Sequence, residues 1–264
     1  PPRSTPLYSS AASDVYKRQG GDDRGAVGVI SDSVKRHLRA DVPVCTLLSG
    51  GLDSSIIAAI AAPMQPNLRS FCAFAAGENE AGGDAEAARA VARTLGTRHS
   101  EAVVTEGMFD RNWRDIVDRT ALPLTTPNEV AILEVARVLR RSGCVVTLSG
   151  EGADELFGGY DRTLDPAAEF ERRIEEDRVS RQSPEYAVLA ARHAVACAHW
   201  MAPGDKAGLL SGDMLARIEG DAVMWTGLRE DFHEAAAAPF DDPLRVHLRV
   251  LQSGNLDKLL RRLD

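Results

Sequence analysis

Short strand-like runs recur along the first part of the chain, the first of them a continuous apolar run, and segments with a helical hydrophobic period separate them. The runs are VPVCTLL (42–48), LRSFCAFA (68–75), HSEAVV (99–104) and CVVTLS (144–149). Apolar runs of this length are typical of strands that are buried on both faces of a parallel sheet. The pattern therefore predicts four parallel strands within this part of the chain.

The segments around these runs carry apolar residues three to four positions apart, as on one face of an α-helix. Asn128 is predicted as the N-cap of the last such segment, and Gly143 as its C-terminal glycine. Strands that alternate with helices of this length predict βαβ units and an α/β fold, a doubly wound parallel sheet of Rossmann-like type, over residues 20–163. The predicted helices cover residues 25–40, 53–62, 83–96, 109–119 and 128–143.

After Tyr160 the strand-like runs stop, and the sequence is rich in Ala, Leu, Arg and Glu at helical spacing. We predict a mostly helical region over residues 164–264, broken at Pro184, Pro203 and Pro243. The charged segment EFERRIEEDR (169–178) is interpreted as a solvated helix face with mutual ion pairs.

The two ends of the sequence differ from the rest. Residues 1–19 have no apolar period and no signal-peptide core, and SSAASDVYKRQ resembles translated sequencing-adapter or vector sequence. We therefore expect a foreign or disordered leader there. LDKLLRRLD (256–264) stops within a helical pattern and without a cap, so we expect the natural helical region to extend further.

Net charge narrows the classes of partner. The 264 residues carry a formal net charge of −8, which gives no electrostatic footprint for nucleic acid or for an anionic membrane. The longest apolar run is far shorter than the roughly 18 residues that a membrane span requires. We expect neither nucleic acid nor a membrane as a partner.

The four cysteines, Cys45, Cys72, Cys144 and Cys197, lie far apart, and no CxxC pair exists. Three of them belong to strand-like apolar runs. We expect buried, reduced thiols of a cytoplasmic protein in preference to disulfides or zinc ligands. The histidines are interpreted as structural.

The segment TLLSGGLDSS (46–55) joins the first strand to a helix through two glycines. At the carboxyl end of a parallel strand, such a loop exposes its backbone N–H groups, and the start of the next helix adds further N–H groups and a partial positive charge. These features predict a phosphate site, with hydroxyl donors from Ser49 and Ser54. The alternative is a tight turn in which Asp53 acts only as an N-cap.

The loop contains no lysine that could neutralise a phosphate, and it matches neither the Walker A pattern nor GxGxxG. Asp53 would repel a polyphosphate unless a cation lies between them, and Mg²⁺ is commonly held by carboxylates and phosphate oxygens. The segment SGEGADE (149–155) supplies Glu151, Asp154 and Glu155 after the fourth strand. If the first and fourth strands are neighbours, Asp53 and Asp154 can face one metal ion. The alternative is that these acidic residues only favour a helix dipole.

The two motif regions, 34–62 and 146–160, together resemble the synthetase domain of the asparagine synthetase family, which has an ATP-pyrophosphatase fold. SGGLDSS alone resembles the wider ATP-pyrophosphatase group, and SGEGADELFGGY makes the assignment specific. The resemblance covers about residues 26–164, and LDKLLRRLD resembles the helix before a later substrate motif of the family.

The resemblance implies a carbon–nitrogen ligase, similar to glutamine-hydrolysing asparagine synthase, that uses ATP and Mg²⁺. Such an enzyme adenylates a carboxylate such as aspartate, releases pyrophosphate and transfers ammonia to the acyl-adenylate. A glutaminase domain is expected upstream, and a homodimer is compatible with the family. Glu151 resembles a catalytic glutamate, and Asp53 and Asp154 resemble the metal ligands. The positions similar to ATP- and pyrophosphate-binding residues are Leu47, Ser49, Gly50, Gly51, Asp53, Ser54, Ala73, Ser149 and Gly150, and the substrate-side positions are Thr125, Thr126, Asn128 and Glu155.

The sequence departs from the family pattern in four places. None of the four cysteines matches the catalytic cysteine of the glutaminase domain, and the later R-x-P-F-L-D segment with its lysine is absent. Asn128 stands near the point where asparagine synthetases usually carry an arginine, so the identity of the carboxylate stays open. Cys45 replaces a residue that is generally glycine.

Three alternative functions are compatible with parts of this pattern. A non-catalytic nucleotide-binding protein would retain the glycine loop without turnover. An intramolecular amide former related to β-lactam synthetase is disfavoured by Glu151, because those relatives tend to replace it. A tRNA-modifying pyrophosphatase is disfavoured by the acidic charge and by SGEGADELFGGY.

Overall fold

The computed structural model describes residues 25–77, 83–121, 126, 128–198, 208–217, 222–237 and 242–256. Its contacts divide the chain into two compact units, the first ending at Gly150 and the second beginning at Glu151. The predicted leader, residues 1–19, lies outside the described residues, as do Thr125 and Pro203.

The first unit is built on a four-stranded sheet with the order β3-β2-β1-β4. The strands are β1 (Val44–Leu47), β2 (Arg69–Ala75), β3 (Arg98–Val104) and β4 (Val146–Leu148). All three pairings are parallel. This order confirms the predicted doubly wound parallel sheet and places the first and fourth strands side by side.

The helices described in the first unit cover both faces of this sheet. Cys72 and Phe74 of β2 pack with Ala85 and Ala88 on one face, whereas Phe71 packs with the opposite helix. This division follows from the two-residue period of a strand, which sends successive side chains to opposite faces. The helices are α1 (Gly25–His37), α2 (Leu52–Ala61), α3 (Asp84–Leu95), α4 (Glu106–Thr120) and α5 (Asn128–Arg141).

The helix ends follow local capping chemistry with one exception to the sequence-based prediction. Thr105 precedes α4 and accepts a hydrogen bond from the backbone N–H of Met108 at 3.3 Å, as an N-cap side chain does. Asn128 is the first helical residue of α5, so its prediction as the N-cap is wrong by one position. Gly143 lies two residues beyond the end of α5, in the predicted place.

Cys45 and Cys144 form a disulfide with a Cα–Cα distance of 6.2 Å. The expectation of reduced thiols is therefore wrong for these two residues, whereas Cys72 and Cys197 are free. Cys45 lies on β1, and Cys144 lies two residues before the neighbouring strand β4. A sequence separation of 99 residues conceals a proximity that only the strand order creates.

In the second unit the described residues form helices and no strand, as predicted. Pro184 is the first residue of its helix, the position that proline favours, and Pro243 is the N-cap residue of another helix. Pro166 lies inside a helix. The helices are α6 (Ala153–Phe157), α7 (Asp161–Glu176), α8 (Pro184–Ala198), α9 (Gly212–Arg217), α10 (Ala222–Ala237) and α11 (Leu244–Leu251), followed by a π-helical turn at Gln252–Leu256.

The core of the second unit contains a buried carboxylate within the charged segment of α7. Arg172 and Arg173 pair with Glu169 on the surface, as predicted. Glu171, however, is only 4% exposed. Its carboxylate accepts hydrogen bonds from other helices and a connecting loop, so the interpretation of this segment as a fully solvated face is wrong at that residue. The donors are the Tyr186 hydroxyl at 2.5 Å, Arg181 Nε at 2.8 Å and His247 Nε2 at 2.8 Å.

The observed division of the chain differs from the boundary predicted at residue 163. The segment that follows Gly150 packs with the later helices, because Gln252 Nε2 donates a hydrogen bond to the Glu155 carbonyl at 3.2 Å. Tyr160, which follows that segment, also bonds within the second unit.

Within the described part of the chain, every helix is too short or too polar to span a bilayer.

Candidate functional site

The loop Ser49–Gly51 follows β1 and leads directly into α2 at the carboxyl edge of the sheet. Gly50 has a φ of +85°, a conformation that side chains rarely adopt. A Cβ atom there would also lie 2.5 Å from the backbone nitrogen of Ala88 in α3. Gly50 is thus required twice, for the turn itself and for the close approach of α3.

Two serine hydroxyls hold the shape of this loop. Ser54 Oγ donates to the carbonyl of Gly51 at 3.2 Å and accepts the backbone N–H of Ser49 at 3.3 Å. The two hydroxyl oxygens lie 3.1 Å apart. Ser54 is buried whereas Ser49 is exposed, so the Ser49 hydroxyl is the one that a ligand in solvent can reach directly.

The start of α2 carries no side-chain cap. Its N-cap residue is Gly51, in an extended conformation, which has no side chain that could accept from the N–H groups of the first turn. Asp53 is the second helical residue, so the alternative in which Asp53 is the N-cap is wrong. An N-terminus without a side-chain cap leaves backbone N–H groups and partial positive charge available to an anion. Ser55 is the fourth residue of α2. Its buried hydroxyl has no hydrogen-bond partner among the described residues, a feature that sequence reasoning missed.

The loop after β4 lies beside the start of α2. A Cβ atom at Gly150 would lie 3.0 Å from Asp53 Cβ and 3.0 Å from the backbone nitrogen of Ser54. The parallel pairing of β1 with β4 causes this approach, because both strands end at the same edge. The structure therefore brings Ser49, Gly50, Gly51, Asp53, Ser54 and the Ser149–Gly150 turn together in one region.

Leu47 and Ala73, the positions similar to adenosine-lining residues, lie on the neighbouring strands β1 and β2. Both are partly buried and pack against the same cluster, which contains Phe71 and Val135. Their side chains thus lie on the face of the sheet that α5 covers.

The substrate-side positions are described in part. The carbonyl of Thr126 accepts the backbone N–H of Glu129 at 3.4 Å, and Asn128 begins α5. Thr125 lies outside the described residues. The structure therefore places Thr126 and Asn128 at the N-terminal end of α5.

In the second unit, Glu151, Asp154 and Glu155 lie in and around the short helix α6. Desolvation, followed by the carboxylates of Glu155 and Asp154, raises the pKa of the Glu151 carboxyl. A raised pKa makes the Glu151 carboxylate a stronger base than an ordinary glutamate.

Glu155 differs from the other two carboxylates because it is only 1% exposed. Tyr160 donates its hydroxyl hydrogen to Glu155 Oε1 at 2.7 Å. Desolvation, together with this bond and the nearby carboxylates, raises the pKa of Tyr160 well above its ordinary value. Tyr160 stands at the end of SGEGADELFGGY, and its pairing with Glu155 is a contact that sequence reasoning missed.

Comparison with known families decides what these loops belong to. The family described as asparagine synthase matches residues 27–264. This chain belongs to the asparagine synthase family. The match extends across both motif regions and the helices that follow them, so it confirms the family resemblance.

Individual members of the asparagine synthase family match about half of this chain. A Mycobacterium tuberculosis relative is 43% identical over 138 residues, or 52% of this chain and 21% of the relative. The glutamine-hydrolyzing asparagine synthetase 1 of Bacillus subtilis is 37% identical over 145 residues, 54% of this chain and 22% of its own. Asparagine synthetase B of Escherichia coli, also glutamine-hydrolyzing, is 39% identical over 169 residues, 56% of this chain and 29% of its own. The alignments thus span only about a fifth to three tenths of these relatives.

Proposed function

We propose that this chain is the ATP-dependent synthetase part of an amide-forming ligase similar to asparagine synthetase. Membership in the family supports the reaction class. The main structural support for the site is the start of α2. It has no side-chain cap, and it lies beside the loop that ends at Gly150. The family relationship makes a nucleotide the expected ligand of these loops.

The loop Ser49–Gly51 is proposed to receive the pyrophosphate end of ATP. The Ser49 and Gly51 N–H groups already donate to Ser54 Oγ and Ser49 Oγ within the loop, so the proposed donors are the N–H groups of the first turn of α2, at the carboxyl edge of the sheet where ligands of such folds bind. Negative charge develops on the pyrophosphate as it leaves. Hydrogen-bond donors that are already in place stabilise this charge, because they do not have to reorganise during the reaction. Leu47, Ala73 and Ser149 are proposed to contact the rest of the nucleotide.

Mg²⁺ is proposed to be held by Asp53 and Asp154, both of which supply the hard oxygen ligands that this ion prefers. The fit rests on Asp53, which stands next to an anion site that lacks a lysine, so a carboxylate and a polyphosphate need a cation between them. When bound, Mg²⁺ supplies positive charge that stabilises the leaving pyrophosphate.

Glu151 is proposed as the catalytic residue of the amide-forming step. Ammonia must lose a proton after it attacks an acyl-adenylate, and a carboxylate with a raised pKa accepts that proton more readily than an ordinary glutamate does. The burial of Glu155 and its bond with Tyr160 support a positioning role for this residue. Substrate contact is instead proposed for Thr125, Thr126 and Asn128.

The remaining features follow from the names of the relatives. Two of them are described as glutamine-hydrolyzing asparagine synthetases. We accordingly propose aspartate, or a related carboxylate, and ammonia as the substrates, with glutaminase chemistry upstream as the source of ammonia. A cytoplasmic homodimer is proposed from the family resemblance alone, since neither these names nor the Cys45–Cys144 disulfide supports it.

Pyrophosphate release tests the proposal on the complete reading frame that encodes this chain. With ATP, Mg²⁺ and ammonium, we expect release that depends on aspartate or a related carboxylate, and its loss in Asp53→Ala. Asp84→Ala is the matched control, because Asp84 also lies in the first turn of a helix that has a glycine N-cap. If Asp53→Ala released pyrophosphate as fast as Asp84→Ala does, Asp53 would act only on the helix dipole. Nucleotide binding without carboxylate-dependent release would favour a non-catalytic protein, and turnover without ammonia would favour an intramolecular amide former.

A further inference from the structure

A cluster of three potential metal ligands lies on the α3 side of the sheet and shares no residue with the loop after β1. Cys72 belongs to β2, and His99 and Glu101 belong to the neighbouring strand β3. In the parallel register Cys72 is the partner of Glu101, and Ser70 is the partner of His99. The alternation of a strand places all four side chains on one face.

The ligand atoms of this cluster converge on one point. Sγ of Cys72 lies 3.5 Å from His99 Nε2, and His99 Nε2 lies 3.6 Å from Glu101 Oε1. All three atoms lie within 4.8 Å of one another. A tetrahedral zinc ion with Zn–S of about 2.3 Å and Zn–N of about 2.0 Å separates these two ligand atoms by about 3.5 Å. The observed distances match that geometry before any side chain moves.

The arrangement is different from that of a nucleophile activated by a histidine. In such a relay, the two ring nitrogens contact different partners, the nucleophile on one side and the carboxylate on the other. Here one nitrogen, Nε2, faces both Cys72 and Glu101, whereas Nδ1 is 2.9 Å from the Ser70 hydroxyl. Ser70 is fully buried, so no substrate reaches it from solvent.

Two neighbouring side chains fix the orientation of the ligands. Ser70 Oγ contacts both His99 Nδ1 and, at 2.7 Å, the hydroxyl of Thr97. When the Ser70 hydroxyl donates to Thr97 and accepts from Nδ1–H, the proton stays on Nδ1 and Nε2 keeps a free lone pair, which is the arrangement in most histidine–metal sites. Desolvation lowers the pKa of His99, which favours the same neutral ring. Arg89 holds both oxygens of Glu101, at 2.6 and 2.8 Å.

The cluster is open to a ligand on one side. A cavity of about 340 Å³ borders His99 and Glu101 and is lined also by Arg89, Ala92, Arg93 and Thr97. Three protein ligands beside an open cavity leave the fourth tetrahedral position to water. The mixed sulfur, nitrogen and oxygen donors favour zinc over magnesium, which prefers oxygen ligands alone.

We propose that Cys72, His99 and Glu101 bind one zinc ion at the β2–β3 face, as a site separate from the Ser49–Gly51 loop. Cys72 binds as the thiolate and releases its proton to solvent, so thiolate and Glu101 together balance the two charges of the ion. Arg89 competes for Glu101, which makes the ion exchangeable.

Zinc titration of the purified chain tests this site. We expect one equivalent of Zn²⁺ to bind. Co²⁺ in its place should give a thiolate-to-cobalt charge-transfer absorption. Cys72→Ser should remove that absorption, and Glu101→Gln should weaken Zn²⁺ binding at least about tenfold. Glu101 lies near the sheet edge with its side chain 22% exposed, so its variant remains informative if Cys72→Ser fails to fold.

The matched control is Cys197→Ser. Cys197 Sγ also lies near a histidine, 3.6 Å from His193 Nε2, but the described residues give that pair no third ligand. We expect Cys197→Ser to bind zinc and cobalt as the unmodified chain does. The proposal is overturned if the unmodified chain binds no zinc, or if Glu101→Gln and a folded Cys72→Ser bind it as tightly as the unmodified chain.

Discussion

Gly150, at the end of the loop after β4, lies against Asp53 in the first turn of α2, where an added Cβ atom would be 3.0 Å from Asp53 Cβ. The two residues are far apart in sequence, and the parallel pairing of β1 with β4 brings them together. The two glycine loops are therefore parts of one surface, and the space between them limits which side chains either loop can carry.

This approach predicts that Gly150→Ala weakens nucleotide binding. The added methyl group must displace Asp53 or the Ser54 backbone, and such overpacking typically costs about 1–3 kcal/mol. ATP affinity, measured by calorimetry, and the free energy of unfolding should both fall. Gly51→Ala is the control for stability, since its Cβ would meet only Ser49 Oγ, at 3.4 Å. Equal losses of stability in both variants would contradict the assigned role of the Gly150 contact.

A second prediction concerns the buried carboxylate of α7. Burial alone would raise the pKa of Glu171, but hydrogen bonds from His247, Tyr186 and Arg181 outweigh it and hold the pKa below its ordinary value. A carboxyl whose pKa is lower in the folded than in the unfolded state stabilises the fold above its unfolded pKa, about 4.3, and loses that contribution as the pH falls through the folded pKa. The free energy of unfolding, measured in urea from pH 7 to pH 3, should therefore fall on the acidic side of this range.

Glu171→Gln should remove that part of the acid dependence and lower stability at neutral pH by about 3–5 kcal/mol, because breaking a buried charge pair leaves its partners uncompensated. Glu169→Gln provides the exposed control, with its side chain 45% exposed on the same helix. We expect its effect at neutral pH to be much smaller, since solvent screens surface ion pairs. If both variants lost equal stability at pH 7, the buried hydrogen bonds of Glu171 would contribute no more to the free energy of unfolding than the surface ion pairs of Glu169.

The disulfide gives a third prediction. Thiol titration of the denatured, unreduced chain should detect two free thiols, those of Cys72 and Cys197, and four after reduction. Closing a loop of 99 residues stabilises the fold by up to about 5 kcal/mol in the chain-entropy model. Urea unfolding with and without reductant measures this difference. A Cys144→Ser variant should show the lower stability in both conditions, whereas four thiols before reduction would contradict the bond.

The fourth prediction concerns the variant Tyr160→Phe. It removes the hydroxyl that donates to Glu155 and leaves a buried carboxylate without that donor. We expect a loss of about 1–3 kcal/mol in the free energy of unfolding, the usual cost of leaving a buried polar group unsatisfied. The double variant Tyr160→Phe with Glu155→Gln should show non-additive losses. Additive losses would mean that the two side chains do not interact.

Local patterns in the sequence were sufficient to predict the strands and helices of the first unit and their order along the chain. The four apolar runs became β1 to β4, and the glycines of SGGLDSS and SGEG became turns at strand ends. These features depend on residues close together in the chain, namely hydrophobic period, helix signals and the backbone freedom of glycine. For the same reason, a few consecutive residues were enough to predict an anion site in the loop after β1.

Only the tertiary structure decided which distant residues meet. The Cys45–Cys144 bond, the Gly150–Asp53 approach and the Cys72–His99–Glu101 cluster all depend on strand order and register, which no short segment encodes. Glu171 shows the same limit, because its segment looks like an exposed helix face, and the donors that bury it come from residues 10 to 76 positions away. Periodicity reports which face of an element is apolar, but the partner of each polar side chain is fixed only when the elements pack.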